Sequence, residues 1–284
     1  GWGRRRASSS RPSVPRCVRG SGPATLPGPF PSPLPIPRSL PGAGPQVGAF
    51  ALLAACPGWL YALSVAKAYV ESGQCRKVLA IGAEALTKLV DWDDRSTAVL
   101  FGDGAGAAIV ESVEAPYGLA PMVLGADGGG AEHLHAGATA TCLPNGTPLT
   151  PKVVMNGREV FKFAVRVMDT ATLEAIQKAG LTPDDIGVFV PHQANFRIID
   201  AARERLGLPP ERVVVTVDEY GNNSTASIPL ALAHALDDGR IQDGDHLLMV
   251  AFGGGLSWAS GVLTWGGGRY ENRVATKAAA TVGA

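Results

Sequence analysis

Two segments of the chain repeat one plan, and this repetition limits the possible folds more than any other feature of the sequence. The first segment begins at Cys56, runs through a helical pattern to Gly73, and continues into a buried strand and a strand pair with a glycine-rich turn. The second begins at Asn222, runs through a helical pattern to Gly239, and continues in the same way. Both intervals are 17 residues long. The repeat predicts two similar α/β halves about a pseudo-twofold axis, with Cys56 and Asn222 facing one pocket.

The first helical pattern places Cys56 at a helix start. Apolar residues recur at three- and four-residue steps between Pro57 and Ser72, and Gly73 is a helix stop. The unpaired N–H groups and positive dipole end of a helix N-terminus favour a thiolate, which is the nucleophilic form of cysteine. The other interpretation of Cys56 is a small buried core residue.

The apolar runs predict the other elements. Because no helical pattern follows the glycines of residues 101–106, a tight turn is favoured there over a phosphate-binding loop. Asn156, with Glu159 three residues later, predicts a helix start. His192 follows a predicted buried strand, a position from which its side chain can reach the pocket of Cys56 and Asn222. The expected strands are 48–53, 77–82, 97–100, 107–110, 188–190, 212–217, 247–252 and 257–265, and the expected further helices are 156–180, 195–207 and 228–236.

Residues 1–46 have a composition that cannot form a packed core. They hold seven arginines and no acidic residue, and eleven of the 22 prolines lie in the first 45 positions. Prolines at every second position from 27 to 37 favour an extended, polyproline-like path, so we expect disorder or an irregular arm. Three explanations compete: a plastid transit peptide, a basic nucleic-acid-binding arm, and a wrongly assembled or out-of-frame start, which is preferred.

Composition excludes several classes of function. The formal net charge is zero and there is no apolar run long enough to span a bilayer, so neither a nucleic-acid nor a membrane partner is expected. The four cysteines have no C-x-x-C spacing, which argues against a zinc site or a disulfide framework and favours a reducing compartment. His133 and His135 have the spacing of a metal pair, but no third ligand is apparent, so no metal site is predicted.

Five motifs within about residues 47–265 resemble those of a known enzyme family, and they occur in the same order as in that family. They are Ala54-Ala55-Cys56-x-Gly58, Phe101-Gly102-Asp103-Gly104-Ala105-Gly106, His192-Gln193-Ala194-Asn195, Gly221-Asn222-x-Ser224-x-Ala226-Ser227 and Phe252-Gly253-Gly254-Gly255. Together they resemble the β-ketoacyl-acyl-carrier-protein synthase III enzymes, which initiate fatty-acid synthesis and belong to the thiolase superfamily. The Asn222 motif argues against the elongating synthases of that superfamily, which use Cys-His-His.

The resemblance implies an α/β thiolase-like fold, a five-layer α-β-α-β-α duplication, here with its first half truncated. It divides the chain into an aberrant segment 1–46, a remainder of the N-terminal half at 47–115, a loop insertion and C-terminal half at 116–265, and a tail at 266–284. It also implies a homodimer without a cofactor, located in the bacterial cytoplasm or, as the alternative, in the plastid stroma.

The same resemblance implies the chemistry and the site. Acetyl-CoA or another short acyl-CoA condenses with malonyl-acyl-carrier-protein through a thioester on Cys56, while His192 and Asn222 hold the enolate oxygen. Backbone N–H groups of Cys56 and Gly254 are expected to form the oxyanion hole. The expected contacts to substrate or carrier protein come from Arg197, Asn195 and Phe252; a solvated helix charge is the alternative for Arg197.

Family members carry a longer globular stretch before the cysteine than residues 1–46 can provide. Missing central strands leave apolar sheet surface and strand edges exposed. We therefore expect this chain, made alone, to aggregate or to show little activity. The alternative function is a non-catalytic thiolase-fold remnant that acts as a binding partner.

Overall fold

A computed structural model describes residues 11–12, 16–19, 47–136 and 150–266, the first six of these by their backbone alone. The helices of this part are α1 (Gly58–Glu71), α2 (Arg95–Ala98), α3 (Gly157–Lys178), α4 (Phe196–Arg205), α5 (Val217–Tyr220) and α6 (Ser227–Asp237). The strands are β1 (Arg11–Pro12), β2 (Arg16–Arg19), β3 (Lys77–Ala85), β4 (Asp103–Val113), β5 (Gly118–Leu119), β6 (Val123–Ala126), β7 (Leu134–Ala136), β8 (Val153–Met155), β9 (Ile186–Pro191), β10 (His246–Gly253) and β11 (Ser257–Thr264).

The C-terminal half is organised around the antiparallel pair of β10 and β11, which are in register from His246 opposite Thr264 to Gly253 opposite Ser257. The other edge of β10 carries β9 as a parallel neighbour. The other edge of β11 carries β5 and β6, both antiparallel, at its two ends. Because β9 and β10 run parallel, the end of β9 and the end of β10 meet at one edge of the sheet. His192 follows β9 directly at that edge.

The N-terminal half repeats this pattern except for the parallel strand, since no described strand lies on the other edge of β3. Strands β3 and β4 form an antiparallel pair from Lys77 opposite Glu111 to Ala85 opposite Asp103. The second edge of β4 carries β1 near its C-terminal end and β2 near its N-terminal end, both antiparallel, as β5 and β6 lie along β11. The element order α1, β3, β4 therefore corresponds to α6, β10, β11, and the predicted duplication is confirmed.

The packing gives a layered α/β arrangement. Alternate residues of β10 point to opposite faces, as the two-residue period of a strand requires. Leu247, Met249 and Ala251 join one core cluster with residues of α1, α6, β3 and β4, which places α1 and α6 between the two sheets. Leu248 and Val250 join a second cluster with α3 and α4, which cover the outer face of the C-terminal sheet.

Several apolar residues are exposed on the outer face of the N-terminal sheet and in the segment before Cys56. Leu79 on β3 is 43% exposed, and in the segment that leads to Cys56 the exposed fractions are 65% for Phe50 and 81% for Leu53. In the described part of the chain, α3 and α4 have no counterpart against this face. The strand predicted at 77–82 is confirmed, but it is less buried than its apolar sequence indicated.

Four sequence predictions were wrong in detail. Residues 48–53 form no strand, because no neighbouring strand pairs with them among the described residues. Residues 97–100 include the end of α2, and the glycines of 101–106 lie largely within the single long strand β4. Residues 212–217 form no strand: Val213 makes an isolated bridge to Phe189, and Val217 begins α5. The segment 1–46 is a separate case: six of its residues are in strands β1 and β2, and its other positions lie outside the described residues, so the expected disorder or irregular arm stays a prediction.

Most of the remaining elements match their predictions. Side-chain caps support the helix starts. Asn156 Oδ1 accepts from the N–H of Glu159 at the start of α3, and Thr182 and Asp185 form a capping box at the short 3₁₀ turn Pro183–Asp185. Gly73 and Gly239 adopt positive φ values after α1 and α6, which is typical of glycines that end a helix. None of the helices in the described residues is long and apolar enough to cross a membrane.

Candidate active site

Cys56 lies in a tight turn between an extended segment and α1. The carbonyl of Ala55 accepts a hydrogen bond from the N–H of Gly58 at 2.8 Å, and Ala55 has a φ of +50°, which is unfavourable for a residue with a side chain. Ser257 Oγ donates to the carbonyls of Ala54 and Gly254, each at 3.0 Å. These bonds connect the cysteine turn to the turn after β10.

The surroundings of Cys56 keep its thiol protonated. Burial raises the pKa of the thiol to about 12, although hydrogen bonds from the Ser224 side chain and from the residue's own N–H act in the opposite direction. The expectation that the helix start favours a thiolate is therefore outweighed by desolvation. Gly253 lies against the residue, and a Cβ at that position would be 3.0 Å from the sulfur. The side chain of Cys56 fits at this position only because residue 253 is a glycine.

Asn222 is held by the segment that connects α2 to β4. Its N–H donates to the carbonyl of Leu100 at 2.8 Å, and its own carbonyl accepts from the N–H of Gly102 at 2.9 Å. Its side-chain Oδ1 accepts from the N–H of Ser224 at 2.9 Å. With the oxygen engaged in this way, the amide NH₂ group is the part of Asn222 that remains to bind another group.

The glycine-rich motif at 101–106 explains why this loop fits. A Cβ on Gly102 would lie 2.6 Å from the carbonyl oxygen of Tyr220, and one on Gly106 would lie 2.7 Å from Cβ of Pro229. Real Cβ contacts do not reach such distances. The motif is therefore a close-packing surface for the Asn222 loop and for α6, and not a turn between strands.

His192 is fixed at the end of β9 as a neutral ring. Its N–H donates to the carbonyl of Val250 at 2.7 Å, and its ring edge packs against Phe252, with centroids 5.8 Å apart. Nδ1 forms a hydrogen bond of 2.6 Å with Ser227 Oγ. The same oxygen accepts from the N–H of Gln193 at 3.4 Å. Burial lowers the pKa of His192 to about 3. The imidazole is therefore uncharged at neutral pH.

The three predicted residues line one cavity of about 3270 Å³, together with Ser224, Phe252 and Gly254. The charged side chains of its described lining are mostly basic: Arg76, Lys77, Lys88 and Arg197. Glu84 is the one acidic residue of that lining. A largely apolar lining that includes four basic side chains suits a ligand with an apolar part and an anionic group.

The other predicted site residues also lie on this cavity. Arg197 and Asn195 stand at the start of α4, where Asn195 Oδ1 accepts from the N–H of Arg197 at 2.8 Å and caps the helix. Phe252 supports the His192 ring. Within the described residues no group of three His, Cys, Asp or Glu side chains is placed to hold a metal ion, and His133 and His135 belong to no such group.

Three supporting residues were not predicted. Ser227 contacts His192, Ser257 connects the two turns, and Glu84 lies next to the Ser224 and Thr225 loop. Ser227 belongs to a motif that the sequence displays, so its role was open to prediction. Glu84 gave only a weak signal, a single acidic residue in an apolar strand.

The chain is similar in sequence to one family of known proteins. The family model described as 3-oxoacyl-[acyl-carrier-protein] synthase III matches residues 50–128, and the model for the C-terminal part of that synthase matches residues 176–265. The chain is 53% identical over 230 residues to a β-ketoacyl-[acyl-carrier-protein] synthase III of Deinococcus deserti, covering 79% of this chain and 66% of the relative. It is 52% identical over 225 residues to one from Symbiobacterium thermophilum, covering 78% and 68%.

Solved structures give the same result. A synthase III of Thermus thermophilus superposes with a TM-score of 0.76 at 67% identity, covering 78% of this chain and 68% of that one. The enzyme of Aquifex aeolicus superposes with a TM-score of 0.72 at 44% identity, with the same coverage. The chain spans 66% and 65% of the lengths of two Deinococcus relatives, which is just under two thirds.

Proposed function

Because the chain belongs to the 3-oxoacyl-[acyl-carrier-protein] synthase III family, we propose that it condenses acetyl-CoA, or another short acyl-CoA, with malonyl-acyl-carrier-protein. The observation that carries the proposal is the convergence of Cys56, His192 and Asn222 on one cavity. A thiol, a neutral imidazole and a carboxamide are the groups that a decarboxylative condensation needs: a nucleophile and two hydrogen-bond donors.

In the first step, Cys56 takes the acyl group from CoA. The sulfur attacks the thioester carbonyl, the C–S bond to CoA breaks, and an acyl-Cys56 thioester remains. The backbone N–H groups of Cys56 and Gly254 stabilise the tetrahedral oxyanion. Gly253 favours this arrangement because its lack of a side chain lets the turn after β10 approach Cys56 closely.

In the second step, the malonyl thioester loses carbon dioxide, and negative charge develops on its carbonyl oxygen. The Asn222 amide can donate to that oxygen, because Asn222 Oδ1 is already occupied by the Ser224 N–H. Nε2–H of His192 is the second donor, since Ser227 faces Nδ1. The carbanion then attacks the acyl-Cys56 carbonyl, a C–C bond forms, and the C–S bond to Cys56 breaks. The Cys56 sulfur leaves as a thiolate that is reprotonated, and the 3-oxoacyl product remains on the carrier protein.

Substrate and carrier recognition follow from the charge of the cavity. Arg197 and its basic neighbours meet the phosphates of CoA or the acidic carrier protein, while Asn195 and Phe252 shape the entrance around His192. We further propose that the enzyme needs no cofactor or metal, forms a homodimer, and acts in the bacterial cytoplasm, with the plastid stroma as the alternative.

The experiment is a condensation assay on the 284-residue chain with acetyl-CoA and malonyl-acyl-carrier-protein, with the 3-oxoacyl product identified by mass spectrometry. Product formation that is lost in Cys56→Ala and retained in Cys75→Ala supports the proposal, because Cys75 is a second free cysteine on the same cavity. Binding of acyl-CoA without any acyl transfer favours the non-catalytic alternative.

A further inference from the structure

Ser257 connects the two turns that carry the proposed oxyanion hole. Its Oγ donates to the carbonyl of Ala54 at 3.0 Å, just before Cys56, and to the carbonyl of Gly254 at 3.0 Å, in the turn after β10. Ser257 and Ala54 belong to different halves of the fold and are 203 positions apart in sequence. Ser257 is 7% exposed, so little water competes for these hydrogen bonds.

Two backbone N–H groups at this junction have no carbonyl partner. Cys56 and Gly254 each lie in a turn on the cavity, and within the described residues neither N–H donates to a backbone carbonyl. A Cβ on Gly253 would be 2.7 Å from the backbone nitrogen of Cys56, so that nitrogen packs against the residue that directly precedes Gly254. Two unpaired N–H groups close together on a cavity are suited to bind a negatively charged oxygen.

The cysteine turn needs support from its surroundings. Ala55 has a φ of +50°, a conformation that a residue with a side chain keeps only where neighbouring contacts hold it. The carbonyl of Ala55 accepts from the N–H of Gly58, and the hydrogen bond from Ser257 holds the preceding residue, Ala54. A Cβ on Gly254 would be 3.8 Å from the methyl group of Ala55, an ordinary contact distance. The turn after β10 therefore packs directly on the strained residue.

The turn after β10 also has an anchor within its own half. The N–H of Asp127 donates to the carbonyl of Leu256 at 2.7 Å, and the N–H of Leu256 donates to the carbonyl of Asp127 at 2.9 Å. The Leu256 side chain covers Gly130, where a Cβ would be 2.3 Å from its Cδ1. None of these contacts involves the cysteine turn. Loss of the Ser257 hydroxyl therefore leaves the turn after β10 anchored and removes its hydrogen bond to the cysteine turn.

We propose that Ser257 is a positioning residue for acyl transfer. By connecting the two turns, its hydroxyl keeps the N–H groups of Cys56 and Gly254 directed at the same oxygen of the tetrahedral intermediate. Ser257 is not part of the described cavity lining, so it acts through the backbone of the two turns. This inference deepens the proposed function and rests on it for the natural acyl donor.

The test compares two reactions of Cys56 in the full chain, followed by mass spectrometry of the peptide that contains it. With p-nitrophenyl acetate, the thiol proton goes to solvent and the sulfur forms a C–S bond to the acetyl carbonyl through a tetrahedral oxyanion. The C–O bond then breaks and p-nitrophenolate leaves. With iodoacetamide, the sulfur displaces iodide and no oxyanion forms. Neither reagent contains CoA, so the comparison does not depend on the natural acyl donor.

Ser257→Ala is expected to lower the acylation rate of Cys56 by about 10- to 100-fold, because the two N–H groups lose their alignment. The alkylation rate is expected to stay unchanged, whereas a merely structural role of Ser257 would lower both rates together. Ser257→Thr keeps the hydroxyl and retains both rates. The matched control is Ser260→Ala, because Ser260 Oγ also donates to a backbone carbonyl, that of Met249 at 2.9 Å, but within one half of the fold.

Equal acylation rates in the wild type and in Ser257→Ala overturn the inference, and so does a parallel loss of acylation and alkylation in a folded variant. Circular dichroism identifies a folding defect. If Ser257→Ala does not fold, the pair Ser257→Thr and Ser257→Val decides, because these two side chains have the same shape and only threonine has the hydroxyl.

Acetylation of Cys56 by acetyl-CoA is followed in parallel. A wild type that p-nitrophenyl acetate acylates and acetyl-CoA does not contradicts the proposed function alone. Acylation by both reagents that does not depend on Ser257 contradicts the inference alone. A wild type that neither reagent acylates contradicts both.

Discussion

Ser227 Oγ lies 2.6 Å from Nδ1 of His192, and this hydrogen bond holds the imidazole ring in place. The serine joins two elements that are distant in sequence, because His192 directly follows β9 and Ser227 begins α6. An uncharged ring with its N–H directed at the cavity is a hydrogen-bond donor for an oxyanion.

Ser227→Ala is expected to impair decarboxylation more than acyl transfer. Without the hydroxyl, the ring loses the hydrogen-bond partner that orients it, so decarboxylation of malonyl-acyl-carrier-protein falls by about 10- to 100-fold. Acetylation of Cys56 changes little. The two half-reactions are measured separately as carbon dioxide release and as acetyl incorporation. Ser260→Ala, another buried serine of the same half, is the control. An equal loss in both half-reactions contradicts this role of Ser227.

Gly102→Ala is expected to destabilise the protein and displace Asn222. The new methyl group would lie 2.6 Å from the backbone oxygen of Tyr220, which cannot move away as a flexible side chain could. Overpacking of this kind costs about 1–3 kcal/mol in the free energy of unfolding. Urea unfolding measures the change. Gly128→Ala serves as control, because a Cβ there meets nothing within 4 Å, and equal stability of the two variants argues against the packing role of the motif.

Stability is expected to fall with pH below about 6.5, the ordinary pKa of histidine. His192 has a pKa of about 3 in the folded chain, so the unfolded state binds more protons between these two values. The contribution of His192 to the free energy of unfolding is fully present above the pKa of the unfolded state. It decreases by up to ~1.4 kcal/mol for each pH unit as the pH falls towards the pKa of the folded state. Urea midpoints at several pH values measure the slope. His192→Gln removes this contribution, and an identical slope in the variant contradicts it.

The chain is expected to self-associate through the apolar surface before Cys56. Phe50 and Leu53 are 65% and 81% exposed, and exposed apolar surface of this kind favours association. The double variant Phe50→Gln, Leu53→Gln should therefore increase the monomeric or dimeric fraction in light scattering. Leu173→Gln, which changes an exposed leucine of α3, should not. If the double variant aggregates as strongly as the wild type, another surface is responsible.

The sequence was sufficient to predict the elements whose signals are local. The pattern of α1, the caps of α3 and the stop glycines depend on neighbouring residues, and all of these match the structure. The repeat from Cys56 and Asn222 also predicted one shared pocket, because its spacing reflects the duplication. Assignment of these two residues and His192 to catalysis remains a prediction that acyl transfer will test.

Features that depend on distant neighbours were not predictable in this way. The apolar run at 48–53 would suit a buried strand, yet no strand lies beside it in the part of the chain that the structure describes. The glycines of 102–106 indicated a turn, but they are required because Tyr220 and Pro229 approach β4. The pKa of Cys56 depends on burial by both halves, which outweighs the local helix start.

The central claim is that Cys56 is the acyl acceptor, and intact-protein mass spectrometry after incubation with acetyl-CoA tests it most directly. We predict one acetyl group per chain, located on the peptide that contains Cys56, absent in Cys56→Ala and retained in Cys75→Ala. No acetyl adduct on the folded wild type, or an adduct that persists in Cys56→Ala, would contradict the account.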